Sequence, residues 1–269
     1  MFPDTFLSLV PESCNPLLHR TTDITILLLC FTLKYFSSSA VSKTKKETHV
    51  TVLSPMKVTE IFSSIQGEST RQGIPTVFIR LTGCNLACRY CDTQYARTEG
   101  VEMSIGDIAD RADTFGLREV CITGGEPLLQ SDTPSLAQTF IDRDYRVSVE
   151  TNGTLDAAVL PSGVLRIIDV KCPGSGEEGT FNKENLSGKR PDDEFKFVLS
   201  NREDFDFACE FAGKHCLAES NTVLLSPVYG VLDPHLLAHW ILTDMPQARL
   251  NLQLHKIIWK DGTEGIRGI

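Results

Sequence analysis

Residues 76–93 read TVFIRLTGCNLACRYCDT. The first seven, rich in β-branched and aromatic side chains, predict a strand that ends at Gly83. Cys84, Cys88 and Cys91 follow at C-x3-C-x2-C spacing. Soft thiolates crowded into one loop suit zinc or an iron–sulfur cluster. Structural zinc and most clusters take four protein ligands, and this loop supplies three. Cys121 or Cys172 could add a fourth, although Cys121 falls inside an apolar strand pattern. With three thiolates only, a four-iron cluster keeps one iron free to chelate a small molecule.

Working outward, the chain alternates strand and helix patterns. Residues 104–115 (SIGDIADRADTF) predict a helix, with Ser104 as N-cap, Asp107 three residues on, and Gly116 as the stop. Strands are predicted at 119–123, 146–151, 165–170, 194–199, 222–226 and 249–254, and further helices at 135–144, 204–217 and 234–245. Strands separated by helices pair in parallel through right-handed crossovers. The expected fold is therefore α/β, a partial (β/α) barrel of six or seven mostly parallel strands with a shortened crossover region. Residues 172–193 show no period and many breakers, which marks a long loop and a candidate for function. The chemically suggestive residues follow strand ends: the cysteines, TGGEP at 123–127, ETNG at 150–153, Lys171 to Pro173, SPVYG at 226–230 and QLHK at 253–256. In such a sheet these ends converge on one face.

A net charge of −9 argues against a non-specific phosphate-binding surface. Apolar residues make up 41% and charged residues 23%, as in ordinary globular proteins. Nine cysteines, an odd number in a chain of this size, do not read as a disulfide framework and point to a reducing, cytoplasmic compartment. Residues 1–55 read as an extension, either disordered or translated from upstream of the true start, with a targeting segment as the alternative. The core domain is expected at 56–269. The apolar run at 24–36 (ITILLLCFTLKYF) is too short to span a bilayer.

Taken alone, Gly-Gly after a strand is a turn, and ETNG is a strand exit. The cysteine spacing followed by TGGEP nonetheless resembles the radical S-adenosylmethionine (SAM) superfamily. In that family the free iron binds the amino and carboxylate groups of SAM, and reductive cleavage yields a radical that removes hydrogen from substrate. The resemblance implies that Tyr90, beside Cys91 and Asp92, neighbours the adenine. It implies that Gly125 and Glu126 approach the methionine moiety, and that Lys171, Ser226, Pro227, Val228 and Tyr229 complete the SAM site.

The series EIFSSIQGES at 60–69, then GIPTVFIR at 73–80 and the cysteine loop, closely resembles the 7-carboxy-7-deazaguanine synthases. That family converts 6-carboxy-5,6,7,8-tetrahydropterin to 7-carboxy-7-deazaguanine with loss of ammonia, in queuosine and deazapurine biosynthesis. The resemblance implies a 4Fe–4S cluster on Cys84, Cys88 and Cys91, SAM and Mg²⁺. It also implies a homodimer served by an electron donor such as flavodoxin or ferredoxin, with no nucleic-acid or membrane partner. Ile65, Gln66 and Gly67 would line the pterin, Glu68 would meet its guanidine-like edge, and Thr123 would touch it. Arg80 would hold the substrate carboxylate, the bland alternative being an interior salt bridge. Thr93 would place its hydroxyl on Mg²⁺.

His255 and Lys256 read equally as substrate or SAM neighbours and as structural residues. Cys209 and Cys216 read as core or surface residues of one helix. One departure is the Lys171-Cys172-Pro173 sequence where some family members carry Ser-Pro-Lys. The C-terminal residues 267–269 are expected at the substrate, as in the family. Two rivals remain at this stage: a glycyl-radical activase with the same cysteine spacing, and a non-catalytic metal-binding module.

Overall fold

The computed structural model describes residues 54–259 and the backbone of 266–267. The readings of residues 1–53 and of 268–269 lie outside the described residues.

Among the described residues, ten strands form one open sheet. They are β1 (Met56–Ile65), β2 (Pro75–Leu81), β3 (Val101–Met103), β4 (Glu119–Gly124), β5 (Arg146–Thr151), β6 (Val164–Asp169), β7 (Glu194–Leu199), β8 (Thr222–Pro227), β9 (Arg249–Leu250) and β10 (Ile266–Arg267). The order is β10-β1-β2-β4-β5-β6-β7-β8-β9, with β3 also on β1. From β2 to β9 every pairing is parallel. Those seven strands are the seven that the hydrophobic runs predicted. Strand β1 is antiparallel to β2, β3 and β10.

Among the described residues seven α-helices accompany the sheet: α1 (Ile105–Asp113), α2 (Thr133–Asp142), α3 (Glu184–Ser187), α4 (Arg202–Lys214), α5 (Leu217–Ser220), α6 (Pro234–Asp244) and α7 (Leu254–Ile258). Helix α1 begins as its sequence dictates: the Ser104 hydroxyl accepts from Asp107 N–H, and it donates at 2.7 Å to the Asp107 carboxylate. Gly116, at φ +67°, closes the turn behind it. The buried side of α1, Ile105, Ile108, Ala109 and Ala112, joins Val77, Ile79, Leu81, Val120 and Ile122 in the main core.

Strand side chains alternate between faces. Val77, Ile79 and Leu81 of β2 are buried in the core, whereas Phe78 and Arg80 line a cavity. The same cavity takes Phe62 and Ser64 from β1, Thr123 from β4, Glu150 from β5, Ile167 and Asp169 from β6, and Lys196 and Val198 from β7. No described helix is long and apolar enough to cross a membrane.

Three expectations are corrected. The strand expected at 249–254 is only Arg249–Leu250, because the chain then turns into α7. The helix expected at 204–217 ends at Lys214, and Cys216 stands outside it at φ 50°, so Cys209 and Cys216 do not share a helix. The loop at 172–193 contains α3 and contributes no residue to the cavity wall. It braces the cysteine loop instead, through Glu177 accepting from Ala87 N–H at 2.6 Å and the Ser175 carbonyl accepting from Arg89 N–H at 2.9 Å.

Candidate active site

The cavity measures about 780 Å³. At one side lies the cysteine loop, with Cys84, Cys88 and Cys91 all partly buried and all on the cavity wall. Its backbone is fixed by bonds from several elements. Asn85 donates to the Thr154 hydroxyl at 2.8 Å and accepts from Asn152 at 2.9 Å, and Gly83 N–H reaches the Ala96 carbonyl at 2.8 Å. Burial raises the pKa of the Cys88 thiol, and Lys171 partly offsets this.

Against the start of the cysteine loop runs the Gly124-Gly125 backbone. A Cβ on Gly125 would stand 2.1 Å from the Gly83 carbonyl oxygen and 2.6 Å from the Cys84 Cβ. Only glycine permits this approach. Among the described residues, no three of His, Cys, Asp or Glu converge closely enough to hold a single metal ion. A cubane is larger, since each of its thiolates holds a different iron. Three thiols on one rigid loop, open to a cavity and facing bare backbone, fit a four-iron cluster with SAM as its partner.

Of the residues expected at SAM, Tyr90, Asp92, Gly125, Lys171, Val228 and Tyr229 line the cavity. The Tyr90 hydroxyl donates to the Val198 carbonyl at 3.3 Å. Lys171 is paired with Asp169 at 2.9 Å. Its burial disfavours the charge, but Asp169 outweighs this and raises its pKa, so it stays protonated.

Glu126, Ser226 and Pro227 do not reach the wall. The Glu126 carboxylate is 0% exposed. It accepts from Leu128 N–H at 2.9 Å, Asn152 N–H at 2.6 Å and the Thr151 hydroxyl. It therefore clamps the TGGEP turn to the ETNG turn. The Ser226 hydroxyl is spent on the Asn251 carbonyl at 2.6 Å.

Ile65, Gln66, Gly67, Glu68, Arg80 and Thr123 all line the same cavity. The β1–β2 register sets Glu60 opposite Arg80, and the β2–β4 register sets Arg80 beside Thr123. Arg80 Nε donates to Glu60 Oε1 at 2.7 Å, the same oxygen that accepts from the Tyr95 hydroxyl at 2.7 Å. The bland reading of Arg80 is thus partly right: it makes an interior salt bridge and still faces the cavity. Glu68 accepts from Lys196 at 2.8 Å and from Gln253 at 2.9 Å. Burial works against its charge, but Lys196 prevails and holds the carboxyl well below the usual carboxylate range. The Thr93 hydroxyl donates to Asp92 at 2.9 Å, and Asp92 pairs with Lys256 at 2.5 Å.

Helix α7 packs against Gly67 in this wall. Leu254 N–H bonds to the Gly67 carbonyl at 3.0 Å, and His255 lies so close that a Cβ on Gly67 would meet its Nδ1 at 2.0 Å. His255 and Lys256 both line the cavity.

Four charged residues of the cavity wall have no role in the sequence reading: Arg89, Arg97, Asp169 and Lys196. Glu150 belongs to the ETNG strand end singled out in the sequence, without a role of its own. Lys196 and Asp169 sit within apolar strand runs (EFKFVL, LRIID), and a charge inside such a run was the available signal. Arg97 carried no local signal.

Residues 78–170 match the Radical SAM superfamily. The chain is 42% identical over 228 residues to the 7-carboxy-7-deazaguanine synthase of Koribacter versatilis (strain Ellin345), covering 78% of this chain and 100% of that protein. It is 41% identical over 215 residues to the protein of the same name from Chlorobaculum tepidum, covering 79% and 98%. The crystal structure of QueE from Escherichia coli shares the fold, with TM-score 0.64 at 22% identity over 75% of this chain and 95% of that one.

Proposed function

Because the chain belongs to the 7-carboxy-7-deazaguanine synthase family of the radical SAM superfamily, we propose that this cavity brings SAM and 6-carboxy-5,6,7,8-tetrahydropterin together and releases 7-carboxy-7-deazaguanine and ammonia. The observation that carries this reading is the shared wall: three cluster-type thiols and the IQGE segment, distant in sequence, border one space.

A 4Fe–4S cluster on Cys84, Cys88 and Cys91, with SAM, supplies hydrogen-atom abstraction on one-electron reduction. The protein's task is to bind, orient and exclude water. Tyr90, Val228 and Tyr229 enclose the nucleoside end of SAM, and Gly125 presents bare backbone to its methionine end. Lys171, held by Asp169, offers a cation to the methionine carboxylate.

Gln66 and Gly67 line the pterin, with Ile65 against its ring. Its guanidine-like edge faces Glu68, kept ionised by Lys196, and Glu150, which among the described residues accepts only a 3.4 Å bond from Gln66 and a long contact from Cys121. Arg80, held at Nε by Glu60, reaches the substrate carboxylate, and Thr123 lies next to it in register. The Thr93 hydroxyl and that carboxylate are oxygen ligands of the kind Mg²⁺ takes. With the carboxylate held on one side, one hydrogen at C6 of the pterin is turned toward the SAM end.

The same reading gives a homodimer in the cytoplasm, where thiols stay reduced, with flavodoxin or ferredoxin as electron donor. The test is anaerobic incubation of the reconstituted protein with SAM, reductant, Mg²⁺ and the carboxypterin. Ammonia together with the deazapurine is the expected result. Formation of 5′-deoxyadenosine without deazapurine would keep the superfamily and reject the substrate.

A further inference from the structure

Two arginines of the cavity wall, Arg89 and Arg97, make no ion pair among the described residues, and of these Arg89 is exposed whereas Arg97 is half-buried. Arg80 is tied to Glu60, Lys171 to Asp169, Lys196 to Glu68 and Lys256 to Asp92. Arg97 has no ion-pair partner among the described residues, although it lines the same cavity. Its Nε is buried with no hydrogen-bond partner. A guanidinium has five N–H donors and cannot shed its charge, so a buried Nε with no acceptor calls for an anion that arrives from outside.

The position of Arg97 is fixed rather than incidental. It ends the helical turn Gln94–Arg97, directly after the cysteine loop. That turn is fastened to the β1–β2 end of the cavity on both flanks. Tyr95 donates to Glu60 at 2.7 Å, and the Ala96 carbonyl accepts from Gly83 N–H at 2.8 Å. Beyond Arg97, the Thr98 carbonyl accepts from Lys57 Nζ at 2.8 Å and the Glu99 carbonyl from Thr59 at 2.7 Å. Glu60 thus joins both elements, since it holds Arg80 and Tyr95 through the same oxygen.

We propose that Arg97 is a substrate-contact residue, a second cation that joins Arg80 in holding the carboxylate of the pterin. This rests on the functional reading above and adds a specificity determinant to it. A planar guanidinium suits a carboxylate because two parallel N–H donors match its two oxygens. One guanidinium already tied at Nε by Glu60 and another without any acceptor divide the work: Arg80 is positioned beforehand, and Arg97 is satisfied only when substrate binds. The pair would distinguish a carboxylated pterin from one lacking the group, since the unsubstituted pterin leaves Arg97 without its acceptor.

The test uses the reconstituted full-chain enzyme and its Arg97→Gln and Arg97→Lys variants. KM and kcat are measured with the carboxypterin, the inhibition constant with 5,6,7,8-tetrahydropterin, and the dissociation constant with SAM. The expected result for Arg97→Gln is a KM raised about tenfold or more, the size of one lost charge-assisted contact. Its inhibition constant for the carboxylate-free pterin and its SAM affinity should stay unchanged. Arg97→Lys, which keeps the charge but not the fork, should recover part of the loss. An unchanged KM would overturn the proposal, as would an equal loss for both pterins, which is what a packing role predicts. Failure of the underlying reading looks different: the wild-type enzyme itself would convert no carboxypterin, and the assignment of Arg97 would fall with it.

Discussion

Glu68 carries a negative charge into the cavity wall, and Lys196 keeps it there at 2.8 Å. An unfolded carboxyl titrates near 4.5, whereas the native one titrates lower. A carboxyl whose native pKa is depressed adds stability that is complete above the unfolded value and is lost as pH falls through the native one. Glu68→Gln should therefore lose stability at neutral pH, by about 3–5 kcal/mol if Lys196 is left buried without its partner. It should also show a shallower decline from neutral pH to about pH 3 than the wild type. Denaturant titrations at a series of pH values read both effects, and parallel curves would reject the pairing. Gly125 supports a second prediction. Gly125→Ala would press a methyl group onto the Gly83 carbonyl and Cys84, so the loop must shift, at a cost of about 1–3 kcal/mol. Iron and sulfide content after anaerobic reconstitution should fall while the fold, read by circular dichroism, persists. Full cluster content would show that the approach is not needed.

Elements differ in how far they could be read from the chain. Strands β4 to β8 stood out because most residues in each are buried, which makes them near-continuous apolar runs. Strand β1 was not singled out as a strand, because its sequence MKVTEIFSSI mixes core residues with Glu60, which accepts from Arg80, and Ser64, which lines the cavity. The two-residue β9 was extended too far: RLNLQL alternates like a strand, but Leu254 N–H turns back to Gly67 and starts α7. Helix α1 was legible from its cap, and that cap carries a prediction. Ser104→Ala removes the acceptor for Asp107 N–H and should lower stability by about 1 kcal/mol. Denaturant unfolding should show a lower midpoint with unchanged slope, and SAM cleavage should be unaffected because α1 contributes nothing to the cavity wall. Arg166 shows what the chain does not announce. It is 1% exposed in mid-strand β6, with Nε on Asp193 at 2.7 Å and a second nitrogen on the Gly188 carbonyl at 2.8 Å. Asp193→Ala should destabilise by about 3–5 kcal/mol, measured by thermal or denaturant unfolding, since it strands that cation.

At the scale of the whole molecule, the parallel sheet gathers strand ends from Thr123 to Lys196 around one cavity, and the loop after β2 and helix α7 enclose it. The sites expected at those ends mostly arrived there. Of the exceptions, Glu126 and Ser226 have their polar groups turned to neighbouring backbone, a distinction that depends on rotamers and not on sequence motifs, and Pro227 ends β8 opposite Leu199. The central claim is that the cluster end and the pterin end share one space, so that a hydrogen passes directly from substrate to the SAM-derived nucleoside. The most direct measurement is anaerobic turnover of carboxypterin deuterated at C6, with mass analysis of the 5′-deoxyadenosine formed. Deuterium in the nucleoside, with deazapurine and ammonia as co-products, is the predicted result. Unlabelled 5′-deoxyadenosine, formed while the deuterium stays in the pterin or exchanges with solvent, would contradict it.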